Sequence, residues 1–278
     1  MQSKGIIFDL KKFAIHDGPG IRSTVFFKGC PLRCHWCHNP EGISRAMEVM
    51  VSTQRCLADC RECLELCPEK ALTKCNKGIA LNRDLCNGCG LCADACPAKG
   101  LQMAGRKVNI DQVMAELAKD AIFYQGSNGG VTYSGGEPLA QIDFLHELLL
   151  ACKERGWHTS VDTCGHAPFA NFEKIMPLVD LFLYDLKIID PVKHRRFTGV
   201  SNHLILENLP KLSCTALSLA IRIPLIPGNN DSETDIKQLA DFCASLPRAH
   251  SVHLLPYHPG GSSKRKRLDG HVAIKPRI

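Results

Sequence analysis

Apolar residues recur along this chain with two different periods. Six short β-rich runs read as strands: STVFFKG (23–29), GGVTYSGGE (129–137), WHTSVDTCG (157–165), LFLYDLK (181–187), LSLAIRIPLIPG (217–228) and SVHLLPYH (251–258). Between them lie stretches with helical spacing. In NIDQVMAELAKDAIFY (109–124), Val113, Leu117 and Ala121 share one face. IDFLHELLLACKERG (142–156) predicts a helix closed by Gly156, and FANFEKIMP (169–177) one stopped by Pro177. HLILENLPKLS (203–213), in spite of Pro210, and SETDIKQLADFCASLP (232–247) complete the helices. Regular alternation of strand and helix predicts parallel strands with right-handed crossovers. Six such units are fewer than the eight of a full barrel, so the expected fold class is α/β, an open, partial (β/α)6 barrel.

Several of these strands end in polar or glycine-rich residues: Cys30, then Ser134-Gly135-Gly136-Glu137, Asp162-Thr163, Asp185 with Lys187, and His258. In a parallel barrel such ends gather at one rim, where active sites sit. The stretch 54–103 breaks the alternation. It holds Cys56, Cys60, Cys63 and Cys67 followed by Pro68, then Cys86, Cys89, Cys92 and Cys96 followed by Pro97. The two halves repeat at a spacing of roughly thirty residues, a duplication. The predicted organisation is a barrel start at 1–53, an insert at 54–103 and the rest of the barrel at 104–278. The insert is expected near the polar rim.

Composition narrows the class. No apolar run reaches the ~18 residues of a membrane span. MQSKGIIFDLKKF carries charges inside its apolar stretch, which does not read as a secretory signal. The chain is therefore expected to be cytoplasmic, with no membrane partner. Of its sixteen cysteines, twelve lie between Cys30 and Cys96 in tight spacings. In a reducing compartment that pattern points to metal or iron–sulfur ligation rather than disulfides. The formal charge of +6 counts those cysteines as neutral thiols. With two four-cysteine [4Fe-4S] clusters at about −2 each and one three-cysteine cluster at about −1, it falls to about +1. No nucleic-acid partner is expected, and the run Lys264-Arg265-Lys266-Arg267 is read as a solvated, mobile tail.

GCPLRCHWCHNPEG (29–42) places Cys30, Cys34 and Cys37 as C-x3-C-x2-C. Three thiolates hold three irons of a cube and leave the fourth open to a substrate. Trp36 is placed to shield such a cluster from water. A first strand ending in C-x3-C-x-aromatic-C resembles the radical S-adenosylmethionine (SAM) superfamily. IHDGPGIRSTVFFKGCPLRCHWCHNPEG, VTYSGGEPL, VDTCG, YDLK, RIPLIPG and LLPYH follow in the order found in glycyl-radical-enzyme activating enzymes, across residues 15–258.

That resemblance implies a radical SAM barrel, an oxidoreductase of the SAM-dependent activating type. Its reaction is reductive cleavage of SAM to methionine and a 5′-deoxyadenosyl radical, which takes a hydrogen from a backbone glycine of a partner enzyme. Catalytic roles are implied for Cys30, Cys34, Cys37, Asp17 and Lys187. Gly135 and Gly136 allow close approach to SAM, or merely a strand-to-helix turn. Glu137 is placed near the SAM ammonium group. Asp162 and Thr163 match a pair near the ribose and carboxylate, and Asp185 and Lys187 another such pair. Either aspartate also reads as a strand-end cap. Asp162, Thr163 and Asp185 are further implied to help hold a monovalent cation. Arg222 contacts the SAM carboxylate or braces the barrel, His258 approaches SAM, and Asn39 touches it. Asp17, in HDGPGIR, lies near the incoming glycine loop, where Gly18-Pro19-Gly20 reads equally as a tight turn.

The insert spacing C-x2-C-x2-C-x3-C-P is that of a two-cluster ferredoxin, in which the fourth cysteine of each run ligates the other cluster. One cluster then takes Cys86, Cys89, Cys92 and Cys67, and the other Cys56, Cys60, Cys63 and Cys96. Cys56 sits one residue too far from Cys60, but one residue can bulge out, so Cys56 is still expected to ligate, with Cys75 the nearest substitute. Cys152, Cys164, Cys214 and Cys243 read as buried, inert thiols. The resemblance to the insert-bearing subgroup implies three [4Fe-4S] clusters, a flavodoxin or ferredoxin-type donor and a monomer. The rival readings are a radical SAM enzyme that uses auxiliary clusters to modify another peptide or small molecule, and a pure electron carrier. The ending SSKRKRLDGHVAIKPRI (262–278) departs from the family pattern, and a less well covered last strand is expected.

Overall fold

The computed structural model describes residues 3–215, 218–248 and 250–269. The chain opens with an antiparallel pair, β1 (Lys4–Ala14) and β2 (Arg22–Phe27). A cysteine-rich excursion follows. It contains β3 (Glu48–Val51), α1 (Glu62–Glu65), β4 (Leu72–Cys75), β5 (Gly78–Leu81), α2 (Leu91–Asp94) and β6 (Leu101–Ala104). After β7 (Arg106–Asn109) come α3 (Ile110–Ala118) and α4 (Ala121–Ser127). Then strand and helix alternate: β8 (Gly130–Gly135), α5 (Ile142–Lys153), β9 (His158–Thr163), α6 (Phe169–Ile175), β10 (Leu181–Asp185), α7 (Pro191–Thr198), α8 (His203–Thr215), β11 (Leu219–Leu225), α9 (Glu233–Ala244), β12 (Ser251–Pro256) and α10 (Gly261–Asp269).

One eight-stranded sheet carries the fold, in the order β12-β11-β10-β9-β8-β2-β1-β7. The six predicted strands, β2 and β8 to β12, are parallel neighbours within it. Two antiparallel strands, β1 and β7, extend the sheet beyond the six. The predicted helix over 109–124 is two helices. Asn109 opens the first with a capping box to Gln112, and the break at Lys119-Asp120 lets Asp120 turn inward to Ser23 and Lys12. Pro210 is accommodated inside α8.

Side chains alternate across the parallel strands with period two. Val25, Phe27, Val131, Tyr133, Val161, Phe182, Tyr184 and Ile221 face the helices and form the main core with Leu145, Leu148 and Leu149 of α5. The opposite parity is polar. Thr24, Thr132 and Ser160 stand in register across β2, β8 and β9. At the start of β2, the fully buried Arg22 donates to Thr132 Oγ1 (2.7 Å), Val131 O (2.7 Å) and Pro19 O (3.0 Å). Burial draws its pKa down to about 10, with Asp17 opposing that shift.

The excursion closes on itself. β3 and β6 pair antiparallel, from Glu48 opposite Ala104 to Val51 opposite Leu101, and β4 and β5 form a hairpin. Val49, Cys63, Leu72, Ile79, Cys92 and Leu101 make a small core of its own. The run 264–267, read as a solvated tail, lies on α10, where Leu268 packs against Met50 and Ala104. That apolar anchor and the contacts of its basic side chains order the segment. Residues 270–278 of the unusual ending lie outside the described residues. Val252 and Leu254 of β12 are exposed.

Replacing Arg22 by Met takes a donor from the buried Val131 carbonyl and the buried Thr132 hydroxyl. It is expected to lower stability by about 2–4 kcal/mol, read by urea unfolding under anaerobic conditions. Stability equal to that of the parent would refute this role for Arg22.

Candidate active site

β2 delivers the C-x3-C-x2-C loop to the rim. Its backbone is held on both sides. Gly29 N–H donates to Gly42 O (2.8 Å) and Cys30 N–H to Ile43 O (2.9 Å), while Arg33 and His35 donate to Thr198 O (2.7 Å) and Phe197 O (3.0 Å). Cys34 and Trp36 are buried, and Cys30 and Cys37 half-buried, in a small apolar cluster with Leu32, Ile188 and Ile226. All three cysteines, Trp36 and Asn39 line one cavity of about 210 Å³. Burial pushes the Cys34 thiol up to about 12 and the Cys37 thiol up to about 11. Thiolates at these positions therefore require a cationic centre beside them, which is what iron supplies.

The facing wall comes from the end of β8. Gly135 and Gly136 both line the cavity. Their lack of a side chain is dictated first by packing. Gly135 has φ +113° and a Cβ there would stand 2.4 Å from Phe27 N; a Cβ on Gly136 would stand 2.5 Å from Gly42 O. Glu137 departs from its expected role. Its buried carboxylate accepts from Leu139 N–H (3.1 Å), Thr163 Oγ1–H (2.8 Å) and Cys164 N–H (2.8 Å). It is absent from the residues lining the cavity and ties the ends of β8 and β9 together. Burial raises its pKa, and these donors offset part of that rise.

Asp162, Asp185 and Arg222 sit on the polar, inward parity of three adjacent strands, with Asp185 directly opposite Arg222. Arg222 lies 3.3 Å from each carboxylate, and Lys187 Nζ lies 2.8 Å from Asp185. The four line the cavity together with Thr163, whose hydroxyl is turned to Glu137. Asp162 Oδ2 accepts from Ser134 (2.7 Å), but its Oδ1 is buried with no partner. Burial lifts the Asp162 carboxyl to about 6 against the pull of Arg222. Burial also opposes the charge on Asp185, but Lys187 and Arg222 outweigh it and leave that carboxyl below its usual range. Arg222, held first by Asp162, lies above its ordinary value. Burial opposes the Lys187 charge, but Asp185 and the Cys34 thiol hold it above its ordinary value too. The cavity thus offers charges of both signs and one orphaned acceptor, a surface suited to a zwitterionic amino-acid end and a ribose.

Two predicted residues stand apart. His258 is exposed and does not line the cavity; its Nδ1 accepts from Gly260 N–H and its ring stands edge-on to His38, which lines the cavity with Tyr257. Asp17 does not line the cavity; it accepts from Thr24 Oγ1 (2.7 Å) inside the barrel, near enough for its charge to act on Asp162 and Arg222. Cys164, read as inert, lines the cavity beside Cys30. Cys214 is exposed near the end of α8, and Cys243 is half-buried against the main core. Ser134, one of the polar strand-end residues, lines the cavity and donates to Asp162.

In the excursion, Cys56, Cys60, Cys63 and Cys96 ring one small cavity, and Cys67, Cys86, Cys89 and Cys92 ring a second. Cys75, the expected substitute for Cys56, is exposed on β4. The extra residue before Cys60 is absorbed where Gly78, at φ +116°, passes within 2.9 Å of Cys56 Cβ, measured from an ideal Cβ. Among the described residues no helix is long and apolar enough to cross a membrane.

Comparison with known proteins agrees with this site. Residues 82–242 match the family described as the radical SAM superfamily, and residues 16–60 match a 4Fe-4S single cluster domain. The isethionate sulfite-lyase activating enzyme of Oleidesulfovibrio alaskensis is 44% identical over 274 residues, 96% of this chain and 88% of that protein. The trans-4-hydroxy-L-proline dehydratase activating enzyme of Clostridioides difficile is 44% identical over 266 residues, 95% of this chain and 87% of that one. In fold, the chain is similar to Streptococcus suis SuiB bound to its precursor peptide SuiA (TM-score 0.50, 15% identity, 90% of this chain and 40% of that chain). An iron–sulfur cluster and SAM are accordingly its reagents, and a glycyl radical enzyme is its partner. The chain belongs to the radical SAM superfamily, among the activating enzymes that cleave SAM reductively and take a hydrogen atom from a glycine of a glycyl radical enzyme.

Proposed function

We propose that Cys30, Cys34 and Cys37 hold the SAM-binding [4Fe-4S] cluster, and that the cavity they share with Asp162, Asp185, Lys187 and Arg222 seats SAM. The observation that carries this reading is the convergence of all seven residues on one cavity. Three cysteine ligands leave one iron free for the amino and carboxylate groups of SAM. When bound, the cluster supplies one electron to the sulfonium. The chain does the rest. Arg222 and Lys187 face the SAM carboxylate, and the orphaned Asp162 Oδ1 accepts from its ribose or ammonium group. Trp36, Leu32 and Ile226 keep water from the cluster. Glu137 acts at one remove, fixing where Thr163 stands. Asn39 orients the loop beside SAM. A monovalent cation beside Asp162, Thr163 and Asp185 belongs to the same proposal.

Two further [4Fe-4S] clusters, three in all, occupy the excursion, which serves as a ferredoxin-like insert. Cys56, Cys60, Cys63 and Cys96 hold one, and Cys67, Cys86, Cys89 and Cys92 the other. Two features of each cage support iron rather than loose thiols. Four sulfurs face one cavity, the fourth coming from the other half of the repeat. Amides four residues after each crossing cysteine donate to its sulfur: Ala71 N–H to Cys67 (3.3 Å) and Gly100 N–H to Cys96 (3.2 Å). Such bonds are how a protein tunes cluster thiolates. The insert would relay electrons from a flavodoxin or ferredoxin-type donor toward the SAM cluster, in a chain that acts as a cytoplasmic monomer. Asp17, inside the barrel beside Thr24, and the Gly18-Pro19-Gly20 turn lie near the incoming glycine loop of the partner. Similarity at 44% identity to activators of two different enzymes assigns that partner by class.

After anaerobic iron loading and reduction, the chain is expected to release 5′-deoxyadenosine from SAM, and Cys34→Ala to release none above background. Equal yields from the two would sink the ligand assignment. Asp162→Asn is expected to weaken SAM binding about tenfold with iron content unchanged, in line with one lost charged hydrogen bond; undiminished affinity removes Asp162 from the site. Replacing Cys89 and Cys92 together by Ala should take iron from ~12 to ~8 per chain. Activation by dithionite is then expected to survive, while activation by a flavodoxin-type donor is lost. Loss with both reductants would make the insert structural rather than a relay.

A further inference from the structure

The basic run 264–267 lies on α10, which runs from the cluster loop to the insert. Gly261 begins α10 against the loop so closely that a Cβ there would stand 2.0 Å from Cys37 O. Lys264 pairs with Glu41 (2.6 Å) and donates to Asn39 Oδ1 (3.1 Å). Arg265 Nη2 donates to the carbonyl of Cys34 (3.0 Å). Arg267 donates to Gln102, and its own carbonyl accepts from Arg83, both on the insert. α7 holds the other side of the loop through Thr198 O and Phe197 O. The cysteine triplet is therefore clamped between two helices.

Lys187 is paired with Asp185 and Lys264 with Glu41, whereas the guanidinium of Arg265 is held on the Cys34 carbonyl. A [4Fe-4S] centre with three thiolates gains a unit of negative charge on reduction, so a cation beside it favours the reduced state.

We propose that Arg265 is a positioning residue for the SAM cluster, pinning the Cys34 carbonyl and placing a positive charge against the cysteine triplet so that the cluster is easier to reduce. This rests on Cys30, Cys34 and Cys37 being its ligands.

The test is a reductive titration of the fully iron-loaded chain followed by electron paramagnetic resonance. The SAM cluster is identified as the signal that changes when SAM is added. In Arg265→Gln the reduced fraction of that cluster at fixed potential is expected to fall about tenfold, equivalent to about 59 mV for a one-electron couple. The insert clusters should titrate as in the parent, and Arg265→Lys should restore the parent midpoint. An unchanged midpoint in Arg265→Gln at full iron content overturns the proposal. Should Arg265→Gln lose the SAM-responsive signal, Arg265→Lys decides. A cluster that is retained and titrates with the parent supports the charge role; one that is lost or shifted tenfold overturns it. Cys34→Ala, run alongside, keeps the premise separate. If the SAM-responsive signal survives there, the ligand assignment fails whatever Arg265 does.

Discussion

The site depends on two backbones passing where neither leaves room for a side chain. The end of β8 and the C-x3-C-x2-C loop lie so close that a Cβ on Gly136 would stand 2.5 Å from Gly42 O and 2.6 Å from Gly29 O. Glu137 N–H and Gly136 N–H donate across the same seam, to Gly29 O and Phe27 O (2.8 Å each). This contact sets the distance between the cysteine triplet and the polar ends of β8 to β11. Any side chain at Gly136 would force the loop outward and carry three thiols with it.

Around that seam, charge is arranged in pairs. Arg222 serves two carboxylates, Lys187 serves Asp185, and Lys264 serves Glu41. Pairing is what lets so many ionisable groups share a largely water-excluded cavity, since an isolated buried charge is costly. One exception is then informative: the orphaned Oδ1 of Asp162 faces the space where SAM is proposed to bind. Glu137 shows the opposite case. Both its oxygens accept hydrogen bonds inside the protein, so it shapes the wall without lining the cavity.

The insert makes the same point on a smaller scale. Its core includes Cys63 and Cys92 among its few buried apolar residues. A unit with so little apolar burial gains stability from bound metal, as other small metal domains do. The pairing of β3 with β6 brings its ends together, so the barrel accepts it as a loop between β2 and α3.

By itself the sequence determined the alternation of strands and helices, the parity that puts Asp162, Asp185 and Arg222 on one face, and the two cysteine spacings. These are local patterns, written in period and spacing, and they need no knowledge of what packs against them. The added antiparallel strands β1 and β7 escaped, because β1 is polar on one face and β7 is only four residues long. Only the tertiary structure decided that Glu137 is spent internally, that His258 stands outside the cavity lining, that Cys75 stands aside, and that Lys264 and Arg265 hold the cluster loop. Each of these depends on a partner far away in the chain, such as Cys34 for Arg265 at a separation of 231 residues. A charge run looks the same in sequence whether water or a buried carbonyl receives it.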